Sequence, residues 1–157
     1  MKAINLGFIG GGRITRIFLT ALNNKSAISG SIAVYEPDEK VAGSLKDQFP
    51  DIELADNPEH PGNQDLVILA VHPPVMMETL KAIKPTVNED TMVLSLAPKI
   101  TLEKMASVLP TRKIVRMIPN ATSIINEGYN PVTFHEIFSA EEKNQLMEAV
   151  IGVLLNQ

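Results

Sequence analysis

Short apolar runs alternate with stretches of helical spacing from one end of the chain to the other, the pattern of a parallel α/β sheet. Runs beginning at Ile4 (I-N-L-G-F-I), Ser31 (S-I-A-V-Y), Asp51 (D-I-E-L-A), Leu66 (L-V-I-L-A-V), Met92 (M-V-L-S-L-A) and Ile114 (I-V-R-M-I) predict six strands. Those from Leu66 and Met92 are nearly continuous in apolar residues, as central strands buried on both faces require. Helical spacing puts Ile14, Ile17, Phe18, Ala21 and Leu22 on one face, and Val41, Ala42, Leu45 and Phe49 on another after Pro37. Val75 to Ile83 and Thr101 to Leu109 predict two more helices. Ser139-Ala-Glu-Glu142 is a capping box opening a helix to about Ile151, with Gly152 as its stop and Val153 to Leu155 able to start another strand. Asp56 to Gln64, with two prolines and a glycine, is expected to be a surface connection. The alternation predicts a doubly wound, mostly parallel Rossmann sheet with helices on both faces, and a crevice near the switch point between the first and fourth strands.

At 157 residues the chain suits one domain, residues 1–157. Its net charge of −4, with no cluster of Lys and Arg, argues against nucleic acid or an anionic membrane as partner. Absent cysteine excludes disulfides, thiolate metal sites and thiol nucleophiles. No apolar run approaches the ~18 residues of a membrane span, and the start of the chain does not read as a signal peptide. The expectation is a soluble, cytoplasmic protein. His60 and His135 lack the spacing of metal ligands, and no metal site is expected.

Chemistry concentrates where predicted strands end. Gly10-Gly11-Gly12-Arg13-Ile14-Thr15 joins the first strand to the first helix. Gly10 permits a tight turn, Gly12 permits close approach of a pyrophosphate, and the helix N-terminus presents N–H groups to the anion. Thr15 stands where the dinucleotide pattern has Gly or Ala, and its branched side chain is expected to loosen helix-on-strand packing. Glu36 ends the second strand 26 positions after Gly10. There it either accepts both ribose hydroxyls of an adenosine, favouring NAD over NADP slightly, or is a solvated loop acid. Arg13 either reaches a cofactor phosphate or lies exposed on the surface.

Ala70-Val71-His72-Pro73-Pro74 ends the fourth strand, where prolines stop the ladder and fix a turn beside the switch point. His72 is either a general acid–base or a loop histidine used for shape. Asn120, after Pro119 at the end of the sixth strand, either faces the place of a nicotinamide or closes an Asx turn.

Taken together, these stretches resemble the N-terminal domain of pyrroline-5-carboxylate reductase and its relatives, including the deazaflavin-dependent NADP reductases. The family pattern I-G-F-I-G-x-G-N-M is met by Leu6 to Ile14, with Arg13 for Asn. A-V-K-P-Q is met by Ala70 to Pro74, S-x-A-A-G-I-T by Ser95 to Thr101, and V-R-x-M-P-N-T-P by Val115 to Thr122, with Glu127-Gly128 in register. The lysine, the Ala-Gly pair and the Thr-Pro pair of the family are replaced at His72, Pro98-Lys99 and Ala121-Thr122.

The resemblance implies hydride transfer from NAD(P)H to the C=N bond of an imino acid. With the strand-end readings above, it gives the cofactor candidates as Gly10, Gly11, Gly12, Arg13, Ile14, Glu36, Ala70, Val71, His72, Pro73, Ala97 and Asn120. It names no catalytic residue, because the family's helical C-terminal domain, which dimerises and holds most of the imino-acid site, is expected to be absent from residues 1–157. A homo-oligomer is possible. The alternative is a stand-alone dinucleotide-binding or sensing module without turnover.

Overall fold

The computed structural model describes residues 4–24, 30–71, 73–96, 100–117, 132–134 and 141. The elements run β1 (Leu6–Ile9), α1 (Arg13–Asn24), β2 (Ile32–Tyr35), α2 (Glu39–Gln48), β3 (Glu53–Ala55), α3 (Glu59–Gly62), β4 (Leu66–Leu69), α4 (Pro73–Ile83), β5 (Met92–Ser95), α5 (Leu102–Val108), β6 (Ile114–Met117) and β7 (Val132–Phe134). Among the described residues the sheet has seven strands, in the order β3-β2-β1-β4-β5-β6-β7. β1 to β6 pair in parallel, and all six expected strands are present. β7 was not among the expected strands. It closes the edge antiparallel to β6, with Met117 opposite Val132.

The strand order reverses at β1, which pairs with β2 on one side and β4 on the other. The expected switch point is therefore in place. Alternate residues of the central strands feed opposite cores because successive side chains in a strand point to opposite faces. Leu66 and Ile68 of β4 join Phe8, Phe18 and Leu45 in the core under α1 and α2. Val67 and Leu69 join Met76, Leu80 and Met105 under α4 and α5. Phe8 and Phe18 meet edge to face, with ring centroids 5.6 Å apart, and fix α1 on β1.

Helix starts follow the capping rules. Asp38 accepts from the N–H groups of Lys40 (2.9 Å) and Val41 (3.2 Å) to open α2. Thr101 accepts from Lys104 N–H (3.1 Å) to open α5. The prolines after β4 begin α4 rather than merely ending the strand: Pro73 is its first residue, where a missing N–H costs the helix nothing.

Two expectations need correction. Asp56 to Gln64 is not a plain surface connection. It contains α3, whose Pro61 and Gly62 are buried. A Cβ on Gly7 would lie 1.9 Å from the Pro61 carbonyl oxygen, and one on Gly62 would lie 2.6 Å from Thr86 Oγ1. Proline and glycine here permit close packing on β1 and α4, although by composition they resemble a loop. Second, Ile14 does not share the buried face of Ile17, Phe18 and Leu22. It is exposed, in the first turn of α1, beyond the point where β1 has stopped.

Candidate functional site

Everything the sequence marked out near the first turn meets at the carboxyl ends of β1, β2 and β4. Gly10 adopts φ +102°, the left-handed region that side chains rarely enter. Its N–H donates to the Tyr35 carbonyl of β2 (2.8 Å), and Ala70 N–H donates to the Ile9 carbonyl (2.9 Å). A Cβ on Gly10 would lie 2.5 Å from the Ala70 carbonyl oxygen. The turn is thereby wedged between the two neighbours of β1.

Thr15 tightens this turn instead of loosening it. Fully buried, its hydroxyl donates to the Gly10 carbonyl. The expected loosening is corrected because the hydroxyl gives a buried acceptor a partner that an alanine could not supply.

Gly12 differs from its neighbours. It is exposed, and a Cβ built on it would meet nothing within 4 Å. The first hydrogen bond into α1 runs from Arg16 N–H to the Gly12 carbonyl (3.1 Å). The amides of the preceding turn thus have no acceptor inside the helix, as at any helix start. An anion fits that place on both steric and dipole grounds. Arg13, exposed beside it, makes no hydrogen bond or ion pair among the described residues. Arg16, one turn on, is committed elsewhere: it donates to Gln48 and to Ser44 Oγ (3.2 Å), tying α1 to α2.

Glu36 lies directly beside the glycine loop. Its Oε1 accepts from Gly11 N–H (2.9 Å) and its Oε2 from Asp38 N–H (2.9 Å). Gly11 packs closely here: an added Cβ would lie 3.0 Å from Glu36 Cβ, so a larger residue would require that neighbour to give by a few tenths of an ångström. Glu36 is therefore an anchored acid rather than a freely solvated one, and each oxygen keeps lone pairs for further donors.

A groove of about 450 Å³ opens next to this loop. Gly10, Gly12, Glu36, Ala70, Val71 and residues of α4 line it. Sequence reasoning missed the α4 contribution. Val75, Glu78, Thr79 and Ala82 recur at i, i+3, i+4 and i+7, the spacing of one helical face, and all four line the groove. Met76, Leu80 and Ile83 of the same helix are buried on its other face. That second stripe was the available signal. A further depression, bounded by Leu22, Gly30, Phe49 and Ile52, lies at the amino ends of β2 and β3, away from these groups.

His72, Ala97 and Asn120 lie outside the described residues, as do Pro98, Lys99, Ala121, Thr122, Glu127, Gly128 and His135. So does the expected helix from Ser139 to Ile151, apart from Glu141, and the stretch from Gly152 to Leu155. Pro73 is described as the start of α4, but not its side chain. Among the described residues no group of acids and histidines could hold a metal ion. His60 Nε2 lies 3.2 Å from Glu53 Oε1 at the exposed surface, away from the glycine turn. No helix among the described residues is long and apolar enough to cross a membrane.

Glycine turn, open helix start and strand-end acid thus converge at the strand-order reversal, where doubly wound domains bind nucleotides. The chain is a doubly wound Rossmann domain. It belongs to the family described as NADP oxidoreductase coenzyme F420-dependent, whose pattern it matches over residues 5–99. It is similar to pyrroline-5-carboxylate reductase of Escherichia coli (strain K12), 32% identical over 140 residues that cover 87% of this chain and 52% of that protein.

Among solved structures, a pyrroline-5-carboxylate reductase from Coxiella burnetii matches with a TM-score of 0.82 at 25% identity, covering 95% of this chain and 57% of that one. Pyrroline carboxylate reductase of Plasmodium falciparum, with NADP bound, shares the fold with a TM-score of 0.82 at 19% identity, covering 99% and 56%. The resemblance drawn from the spaced motifs holds. The chain spans about half the length of the curated relatives it matches.

Proposed function

We propose that this chain holds the dinucleotide for a nicotinamide-dependent reductase acting on the C=N bond of an imino acid. The observation that carries this reading is the pairing of a left-handed Gly10 with an unobstructed Gly12 at the start of α1. The pyrophosphate is assigned to the amides of Gly12, Arg13 and Ile14, because the Gly11 amide is already held by Glu36. The adenosine end is assigned to the groove, whose apolar walls of Tyr35, Pro58, Val75 and Ala82 suit a flat heteroaromatic ring. Glu36 accepts from the ribose hydroxyls and disfavours a 2′-phosphate, so NADH binds more tightly than NADPH. His72, Ala97 and Asn120 are assigned to the nicotinamide side from their places in the sequence.

The reduced nicotinamide supplies the hydride, while protein groups orient it and exclude water. The described lining of the groove carries acids and no base, and so offers an imino acid's carboxylate no counter-charge. The substrate is therefore assigned to groups outside this lining.

Paired measurements test the reading. Calorimetric titration should give saturable one-to-one binding of NADH, tighter than that of NADPH. With pyrroline-5-carboxylate added, the 157-residue chain alone should oxidise either cofactor only at the background rate. Positioning a substrate against the nicotinamide can account for roughly 7–11 kcal/mol of barrier lowering, and the described lining of the groove has no basic group to hold the substrate's carboxylate. Tighter binding of NADPH would move the assignment from Glu36 to Arg13. Saturable turnover would place the imino acid within these residues.

A further inference from the structure

We infer that Glu78 is a second specificity-determining residue, which acts with Glu36 to turn the adenosine groove against a 2′-phosphorylated ribose. The inference rests on the proposed placement of adenosine in the groove and adds a residue that the glycine-turn and strand-end patterns do not contain.

Three observations lead to it. Glu78 stands on the groove-lining stripe of α4 and lines the same groove as Glu36, so that the lining carries two acids from two different elements. No Lys, Arg or His is present among the described residues that line the groove to offset them. Glu78 is exposed and, among the described residues, makes no ion pair or side-chain hydrogen bond, whereas Glu36 is fixed by two backbone N–H groups. Glu36 is thus tethered to the backbone of the glycine turn, and Glu78 is an untethered charge in the lining of the same groove.

The electrostatic consequence is asymmetric. A ribose with free hydroxyls can donate to carboxylates, whereas a 2′-phosphate brings additional negative charge and no offsetting donor. Repulsion between groups at a half-open surface is modest and screened by salt, with a Debye length of about 10 Å at 0.1 M. Glu78 is therefore expected to affect discrimination between nucleotides far more than the affinity for the unphosphorylated one.

The test compares the chain with Glu78→Gln, which keeps size and removes charge at an exposed position. The probes are NADH, NADPH, 5′-AMP and adenosine 2′,5′-bisphosphate, the last two carrying the adenosine end alone. Glu78→Gln should tighten the 2′-phosphorylated probes by about three- to tenfold and change 5′-AMP and NADH by less than about twofold. That gain should shrink at about 0.5 M salt, a response that a merely structural role would not produce.

Equal changes for phosphorylated and unphosphorylated probes, or none for either, would overturn the inference. Gly12→Val, measured in parallel, separates this from failure of the site. If Gly12→Val loses binding and Glu78→Gln leaves the ratio unmoved, only the role of Glu78 falls. If Gly12→Val binds like the parent chain, or no probe binds the parent chain, the placement of adenosine falls and the role of Glu78 falls with it.

Discussion

Gly7 and Gly12 stand on either side of one turn, and a methyl group added to each would meet opposite surroundings. At Gly7 it would lie 1.9 Å from the Pro61 carbonyl oxygen, inside a packed contact between β1 and α3. At Gly12 it would meet nothing within 4 Å. The same residue type, five positions apart, serves the core in one place and leaves room for a ligand in the other. Gly10, between them, serves the turn itself through its positive φ. A glycine-rich motif is therefore not one signal: each glycine has a separate cause, and each cause predicts a different failure on substitution.

The largest expected effect is on the packed side. Gly7→Ala forces α3 away from β1, and overpacking of this kind costs about 3 kcal/mol, at the upper end of its usual range. Equilibrium denaturation should show that loss directly. A loss below about 0.5 kcal/mol, the scale of ordinary surface substitutions, would mean that α3 does not sit on β1 as described.

Thr15→Val comes next. It removes the hydroxyl that donates to the Gly10 carbonyl and leaves a buried acceptor without it, at a cost of about 1–3 kcal/mol. Thr15→Ser should recover most of that stability. If valine and serine behave alike, the hydroxyl does not hold the turn.

Glu36→Ala acts on the ligand side and on preference more than on stability. It should narrow the gap between NADH and NADPH by about 1–3 kcal/mol, the scale of charge-assisted hydrogen bonds. Titration of both cofactors on the variant reads this gap, and an unchanged gap would leave Glu36 as a prop for Gly11 alone.

Most of the sheet was legible because β1, β2, β4 and β5 are compact, mostly apolar runs bounded by residues that end strands, and because β3 sits in an alternating run. The connection from Asp56 to Gln64 was not. Its prolines and glycine signal a turn wherever they occur, and only the missing side chain of Gly7 makes room for them on β1. β7 is only V-T-F between Pro131 and His135, whereas β3, equally short, is announced by the longer alternating run D-I-E-L-A. Ile14 misled for a geometric reason. Helical spacing gives a face, but not the point along the helix where that face outruns the sheet.

In the site, Gly10, Gly12 and Glu36 were readable because their spacing follows from the strand–turn–helix geometry. Ala70 and Val71 followed from their place at the end of the strand that neighbours β1. Thr15 was misjudged because spacing reports bulk and cannot report where a hydroxyl finds an acceptor. Glu78 and Thr79 were overlooked because α4 has two stripes, and the buried one, carried by Met76, Leu80 and Ile83, draws the eye first.

The central claim is that the open space above Gly12 is the seat of a cofactor pyrophosphate. Calorimetric titration of NADH into the chain and into Gly12→Val, with the thermal midpoint of each measured alongside, tests it most directly. A valine side chain would project into solvent in the free protein and into the phosphate in the complex. The account predicts a thermal midpoint lowered only by the small amount that valine costs at a helix N-cap, and an affinity lower by at least about a hundredfold, close to 3 kcal/mol at 1.4 kcal/mol per tenfold. Unchanged NADH affinity in a folded Gly12→Val chain would contradict it.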